Sequence, residues 1–191
     1  MHLYIGLVHY PVYNKNHKII ASAVTTLDLH DISRIARTYD AKMFFVVTPL
    51  EDQQELVERV KRHWVEGYGA RYNEHRKSAI ELVSVVPSIE AARSIISENE
   101  GENPLVIATD ASEAEGQRLS YEKARELISS GDQAVLIIFG TAWGIDRDTI
   151  LSADYLLDPI YGKTDYNHLS VRAAAAIILD RLAGRENQGL G

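Results

Sequence analysis

Seven residues that follow the most apolar run of the chain, Phe139-Gly140-Thr141-Ala142-Trp143-Gly144-Ile145, hold the types a ligand loop needs. Two glycines let a backbone approach a bound molecule closely. Thr141 offers a hydroxyl and Trp143 a flat apolar face. The loop is neither G-x-G-x-x-G nor G-x-x-x-x-G-K-[ST], so it carries neither the dinucleotide fingerprint nor a P-loop. On spacing alone a glycine-rich turn serving only geometry is an equal reading. A second stretch, residues 156–170, packs Asp158, Tyr161, Lys163, Asp165, Tyr166, Asn167 and His168 between an apolar strand and an apolar helix. Loops of that composition on rigid elements commonly hold sites. The competing reading is a solvated loop with Asn167 as an N-cap and His168 packed beside it. A third set is basic. Residues 59–77 carry six Arg or Lys against two Glu, and Trp64, Tyr68 and Tyr72 are interleaved. Such groups could hold phosphates and stack unpaired bases. A solvated helix end plus a loop, with Trp64 in the core, is as good a reading.

Positioning these sets is the task of alternating elements. Apolar runs at 3–8, 42–47, 80–86, 105–108, 134–139 and 155–157 read as strands. Helical spacing marks 26–40, 50–65, a helix capped by Ser88, another capped by Ser120, and a closing helix opened by Asn167 or Ser170 and running through Leu182. Continuous apolar strands between helices imply an α/β fold: a mostly parallel sheet with helices on both faces. In such sheets ligands lie beyond the carboxyl ends of the strands, which selects the loops after residues 139 and 157. One domain over residues 1–183 and a flexible tail over 184–191 are expected.

Composition narrows the function classes. The chain has 191 residues, 27 acidic and 20 basic, for a net charge of −7, and no cysteine. Thiolate catalysis and Cys-ligated metal are excluded, and His2, His9 and His17 lack metal-ligand spacing, so no metal is expected. No apolar run reaches the ~18 residues of a membrane span. The N-terminus reads as a strand rather than a signal peptide, so the cytoplasm is the expected location. An acidic chain binds nucleic acid only through a local patch.

Three pieces, in order, resemble the SPOUT (α/β-knot) class of RNA methyltransferases, in a stand-alone bacterial form related to the catalytic domain of tRNA (guanine-N1)-methyltransferases. Residues 27–41, ending Arg34-Ile35-Ala36-Arg37-Thr38-Tyr39-Asp40-Ala41, are similar to the first motif, a helix carrying an Arg before Thr. Residues 136–145 are similar to the second, an apolar strand ending in a glycine-containing loop. Residues 154–182 are similar to the third, whose helix opens Asn167-His168-Leu169-Ser170-Val171-Arg172. The resemblance implies a C-terminal trefoil knot, with S-adenosylmethionine bent in the knotted cleft. Its contacts would be Thr109, Phe139, Gly140, Thr141, Trp143, Gly144, Ile145, Leu157, Asp158, Pro159, Ile160, Gly162, Tyr166, Asn167, His168 and Leu169. A homodimer formed through the closing helix, residues 167–183, is implied as well.

The chain departs from the family in three places. Leu29-His30-Asp31 replaces the usual Asn ahead of the Arg. Gly140-Thr141-Ala142-Trp143-Gly144 replaces Gly-x-Glu-Gly. No counterpart of the RNA-binding domain of the guanine-N1 enzymes is expected in this stretch. The expected function is therefore methyl transfer to tRNA or rRNA, on a ribose 2′-oxygen or a base nitrogen. Arg37 is assigned to orienting phosphate or ribose first, since an Arg pKa above ~12 makes a poor base. Asp158 and Asp165 are the candidate bases, with Asp110 a third that reads more simply as an N-cap. RNA contacts are assigned to Arg34, Lys15, Lys18, Arg71, Arg76 and Lys77. The alternatives are a nucleotide- or cofactor-binding α/β module, or an RNA-binding protein on an inactive knotted fold.

Overall fold

The apolar runs become strands because each is covered on both faces. In the computed structural model, which describes residues 2–112, 114–164 and 166–185, β1 (Leu3–Val8) is buried at every position. It lies between β4 (Met43–Val47) and β8 (Val135–Gly140), parallel to both. The sheet has seven strands in the order β5-β4-β1-β8-β6-β9-β7, where β5 is Val83–Val86, β6 Leu105–Thr109, β7 Arg118–Leu119 and β9 Tyr155–Leu157; neighbouring strands among the described residues run parallel. Alternating side chains then point to two cores. Leu3, Ile5, Leu7, Ile137 and Phe139 face one layer with α1 (Thr26–Thr38), α2 (Glu51–Val65), α6 (Tyr121–Ser130) and α8 (Val171–Ala183). Tyr4, Val8, Phe45, Leu136 and Ile138 face the other with α5 (Ile89–Glu100) and α7 (Arg147–Ser152).

Helix starts follow side-chain caps. Thr25, Ser88, Ser120 and Ser170 each accept a backbone N–H in the first turn of the following helix. Of the two residues expected to open the closing helix, Ser170 does so. Two helices end on left-handed glycines, Gly101 (φ 80°) and Gly131 (φ 68°).

The sequence reading misplaces some elements. The run 80–86 is a strand only from Val83, because Ile80 ends a helix, α4 (Glu74–Ile80), capped by Asn73. Together with α3 (Tyr68–Tyr72) this makes residues 68–72 and 74–80 helical, where a loop is one of the expectations. A two-stranded hairpin, β2 (Val12–Tyr13) with β3 (Ile19–Ile20), was not foreseen, nor were β7 and α7. Of the expected tail, residues 186–191 lie outside the described residues.

The order of the strands sets the site. The chain fills the sheet outward from β1 through β4 to β5. It then crosses by α5 to β6 and later returns with β8 between β1 and β6. A crevice opens where that order reverses, beyond the carboxyl ends of these strands.

Candidate functional site

A cleft of about 1310 Å³ occupies that crevice. Pockets for small ligands span roughly 300–1,000 Å³, so the space exceeds what one nucleoside needs. Its walls bring together most of the residues singled out in the sequence: Thr109, Phe139, Gly140, Thr141, Trp143, Gly144, Ile145, Asp158, Pro159, Ile160, Asn167, His168 and Leu169. Asp110 lines it too. The N-terminal half of α8 closes it with Val171, Ala174 and Ile178.

The loop after β8 is fixed by backbone. A Cβ on Gly140 would lie 2.8 Å from both the amide nitrogen and Cγ1 of Ile145, so the turn closes only without a side chain there. That clash is internal to the loop rather than directed at a ligand. Gly144 has φ +99°, and Ala142 also takes a positive φ of 51°. The hairpin then zips onto the loop: Tyr13 N donates to Gly144 O at 2.9 Å and Trp143 N to Tyr13 O at 3.0 Å. Thr141 donates its hydroxyl to Val8 O at 2.9 Å and shares a 2.6 Å hydrogen bond with Ser22. Trp143 remains 64% exposed at the mouth.

Residues 10–28 supply a wall that sequence reasoning missed: Tyr13, His17, Ser22, Ala23, Thr25 and Asp28. Their signal is weak because the strands are two residues long and the contacts span more than a hundred residues. Behind Ser22 lies His9, fully buried, with Nδ1 2.9 Å from the serine hydroxyl. Burial lowers its pKa to about 4, with Asp28 opposing, so the ring is neutral near pH 7. Its Nε2 has no hydrogen-bond partner among the described residues. Asp28, 7% exposed, accepts from Thr25 Oγ1 at 2.6 Å and pairs with Arg172 Nη1 at 2.9 Å. Arg172, from the third motif, also reaches Asp31 at 3.4 Å. It therefore clamps the start of α8 to the start of α1.

The opposite wall is tied as tightly. Asn167 donates Nδ2 to Ala111 O at 2.6 Å, joining the 158–170 loop to the loop after β6. Asp110 caps no helix. Its Oδ1 accepts from Ser112 N at 2.6 Å, and its Oδ2 lies 3.0 Å from where a Cβ on Gly144 would be. Arg147 and Glu115 pair at the rim.

Several expected residues stand elsewhere. Leu157 is buried beneath the cleft, and Gly162 and Tyr166 are not among its lining residues; Tyr166 meets His168 edge-on at 5.5 Å. Asp165 lies outside the described residues. Arg37 sits in the last turn of α1 and does not line the cleft. It follows Asp28 by nine residues, about 13 Å along the axis. Arg34 lines a separate groove of about 470 Å³ with Asp31, Ile35, Thr38, Tyr39, Arg172, Ala173 and Ala176. Lys15 and Lys18 are exposed in the hairpin turn beside His17, at the rim. Arg71 is exposed on α3, Arg76 lies over the Trp64 ring at 4.5 Å, and Lys77 pairs with Glu81 at 3.8 Å.

Chemically, the cleft offers carboxylates at Asp28, Asp110, Glu115 and Asp158, backbone groups around Gly140–Ile145, and an apolar floor. That set fits a cationic nucleoside: carboxylates for a positive centre, peptide groups for the edge of a base. No group of three or more His, Cys, Asp or Glu among the described residues is arranged to hold a metal.

A family model described as SAM-dependent RNA methyltransferase matches residues 2–184. A tRNA (guanine-N(1)-)-methyltransferase of Oleidesulfovibrio alaskensis (strain ATCC BAA-1058 / DSM 17464 / G20) is 42% identical over 182 residues, covering 95% of this chain and 42% of that protein. An uncharacterized protein of Aquifex aeolicus (strain VF5) is 39% identical over 183 residues, covering 96% of this chain and 89% of that protein. Among solved structures, TrmJ from Z. mobilis ZM4 matches with a TM-score of 0.61 at 12% identity, covering 96% of this chain and 69% of that one. The SpoU methyltransferase AviRb from Streptomyces viridochromogenes, in complex with AdoMet, matches with a TM-score of 0.54 at 16% identity, covering 95% and 58%. At those identities the structural likeness is one of fold.

Proposed function

The chain belongs to the family of S-adenosylmethionine-dependent RNA methyltransferases, and on that premise we propose that it methylates a ring nitrogen of a base in tRNA. It is a methyltransferase of the SPOUT class, and its cofactor is S-adenosylmethionine. tRNA is the substrate named for a relative of which this chain spans 42%. The observation that carries the choice of acceptor is the placement of Asp110 and Asp158 on the cleft while Arg37 stands outside it. A carboxylate is a competent base for a ring N–H, whereas a ribose hydroxyl would need a far stronger one.

When bound, S-adenosylmethionine supplies an electrophilic methyl on a sulfonium. This chain must seat it, exclude water and move one proton. The peptide groups of Gly140–Ile145 and of residues 157–160 would hold the adenine edge. Phe139, Ile160 and Ile178 would exclude water from its face. Asp158 Oδ is assigned the proton of the acceptor nitrogen, with Asp165 and Asp110 as the other candidates. His9, Ser22 and Thr141 keep the loop after β8 in register. Arg37, away from the cleft, is assigned to backbone phosphate or ribose of RNA that extends past α1, and Arg34, Lys15 and Lys18 to phosphates near the rim.

We also propose that residues 1–183 form one domain, that its C-terminal segment is threaded as a trefoil knot, and that two copies pair through α8. The return of β8 and β9 to either side of β6 supports the first two, and the small-residue groove at Ala173 and Ala176 supports the third. No helix among the described residues is long and apolar enough to cross a membrane, and we propose the cytoplasm as the location.

Transfer of labelled methyl to unmodified tRNA transcripts, followed by nucleoside mass spectrometry, tests the reading. Label on a base is expected, and should fall at least about a hundredfold in Asp158→Asn, the usual range for losing a general base. Label on ribose would sink the acceptor assignment.

A further inference from the structure

Two tyrosines on α3 stand in water and add no buried surface to the core. Tyr68 is 76% exposed and Tyr72 74%. They are one helical turn apart, their rings stacked with centroids 6.1 Å apart and planes 23° from parallel. The stack leaves the outer face of each ring open to a further partner.

The helix beneath them is seated closely. Gly69 is buried, and a Cβ there would lie 2.6 Å from Trp64 Cε3, so α3 sits directly on the indole. That indole is itself held, edge-on to His30 at 5.4 Å and His63 at 5.1 Å, with the Arg76 guanidinium 4.5 Å from its centre. Trp64 and Arg76 are therefore spent on the support, and Lys77 is paired. The free groups are Tyr68, Tyr72 and four cations of the same stretch of chain. Arg71 lies between the tyrosines on α3, and Arg59, Lys61 and Arg62 lie on the last turns of α2. None of these four forms an ion pair with another described residue. In a chain of net charge −7, residues 59–77 carry six basic side chains against two acidic ones.

We propose that the Tyr68–Tyr72 pair is a stacking platform for an unpaired nucleotide of the RNA substrate, with Arg71 and the end of α2 holding the adjoining phosphates. It rests on the reading of this chain as an RNA methyltransferase. An outer tyrosine face extends the stack to any base, whatever its sequence, while a base inside a duplex has no free face to offer.

The test compares Tyr68→Ala/Tyr72→Ala with Tyr68→Phe/Tyr72→Phe in the full chain. Binding of a labelled single-stranded 12-nucleotide RNA, a blunt RNA duplex and an unmodified tRNA transcript is followed by fluorescence anisotropy. S-adenosylmethionine affinity and oligomeric mass are measured alongside. Single-strand and tRNA binding should weaken roughly tenfold or more in the Ala pair, since stacking is worth about 1–3 kcal/mol per base. The Phe pair should bind as wild type, the duplex should be little affected, and cofactor affinity should be unchanged. Wild-type RNA affinity in the Ala pair would overturn the platform while leaving methyl transfer standing. So would loss in the Phe pair, or a change of oligomeric mass in the Ala pair with RNA affinity retained. Wild-type protein that neither binds nor methylates any of these RNAs would overturn both readings.

Discussion

The strand-end cleft and the α2–α4 flank handle polar groups in opposite ways. In the cleft many such groups among the described residues are committed to one another, leaving Asp158 open: Ser22 pairs with Thr141, Asn167 with Ala111 O, Asp110 with Ser112, and Asp28 with Arg172. On the flank, Arg59, Lys61, Arg62 and Arg71 have no carboxylate partner among the described residues, and two aromatic rings face water. A cleft built this way has its shape before the ligand arrives and loses little entropy on binding. A flank of uncommitted side chains suits a ligand that is itself flexible. The first region is suited to recognising one small molecule by geometry, the second a polymer by charge and stacking.

The contrast breaks most severely at Gly140. Gly140→Val places a branched side chain where even a Cβ meets Ile145 at 2.8 Å. Overpacking of that kind costs about 1–3 kcal/mol. A lower Tm together with loss of cofactor binding is expected, because the injury is to the turn itself. Unchanged Tm and affinity would mean that the cleft is not preformed.

A loss of stability with the turn left intact is expected for Arg172→Ala, which strands Asp28 at 7% exposure. Breaking a fully buried pair costs about 3–5 kcal/mol. Arg172 is one-third exposed, so about 2 kcal/mol is expected, read as a shift in the urea midpoint at constant slope. The same variant on an uncommitted cation of the flank, such as Arg62→Ala, should shift the midpoint hardly at all.

Acid sharpens the contrast further. The folded pKa of His9 is depressed to about 4, below its unfolded value near 6.5. Above pH 6.5 both states are neutral and the group has no effect. Below it the unfolded chain takes up the proton first, so stability falls as pH drops from 6.5 toward 4, by about 2 kcal/mol at pH 5. His30, lowered chiefly by burial, adds to the same trend. His9→Gln should flatten the decline of Tm between pH 7 and pH 5, and an unaltered decline would remove His9 from it.

The smallest effect belongs to the flank. Arg71→Gln should reduce the salt slope of RNA binding by about one and leave Tm alone. Lys77→Gln should change the slope less, because Lys77 already faces Glu81.

The cleft was more legible in the sequence than the flank, for physical reasons. Apolar runs such as 134–139 announce buried strands, and the rule for strand ends then points to Gly140 and Asp158 without side-chain detail. What local pattern cannot carry is pairing across the chain. Ser22 and Thr141 are 119 residues apart, and the two-residue strands of the hairpin have no period, so the wall from Tyr13 to Asp28 leaves only a weak signal. Arg37 was assigned by motif alone, and helix geometry puts it a long way from the cleft. On the flank, charge and aromatic content were visible, but not which residues were already spent. Trp64 and Arg76 support, while Tyr68 and Tyr72 project.

The most direct test of a preformed cofactor cleft is calorimetric titration of the wild-type chain with S-adenosylmethionine in the absence of RNA, with ATP and NAD titrated separately. One-to-one binding in the micromolar range or tighter, selective over both nucleotides, is the predicted result. Binding of ATP or NAD with equal affinity, or no binding of S-adenosylmethionine until RNA is added, would contradict it.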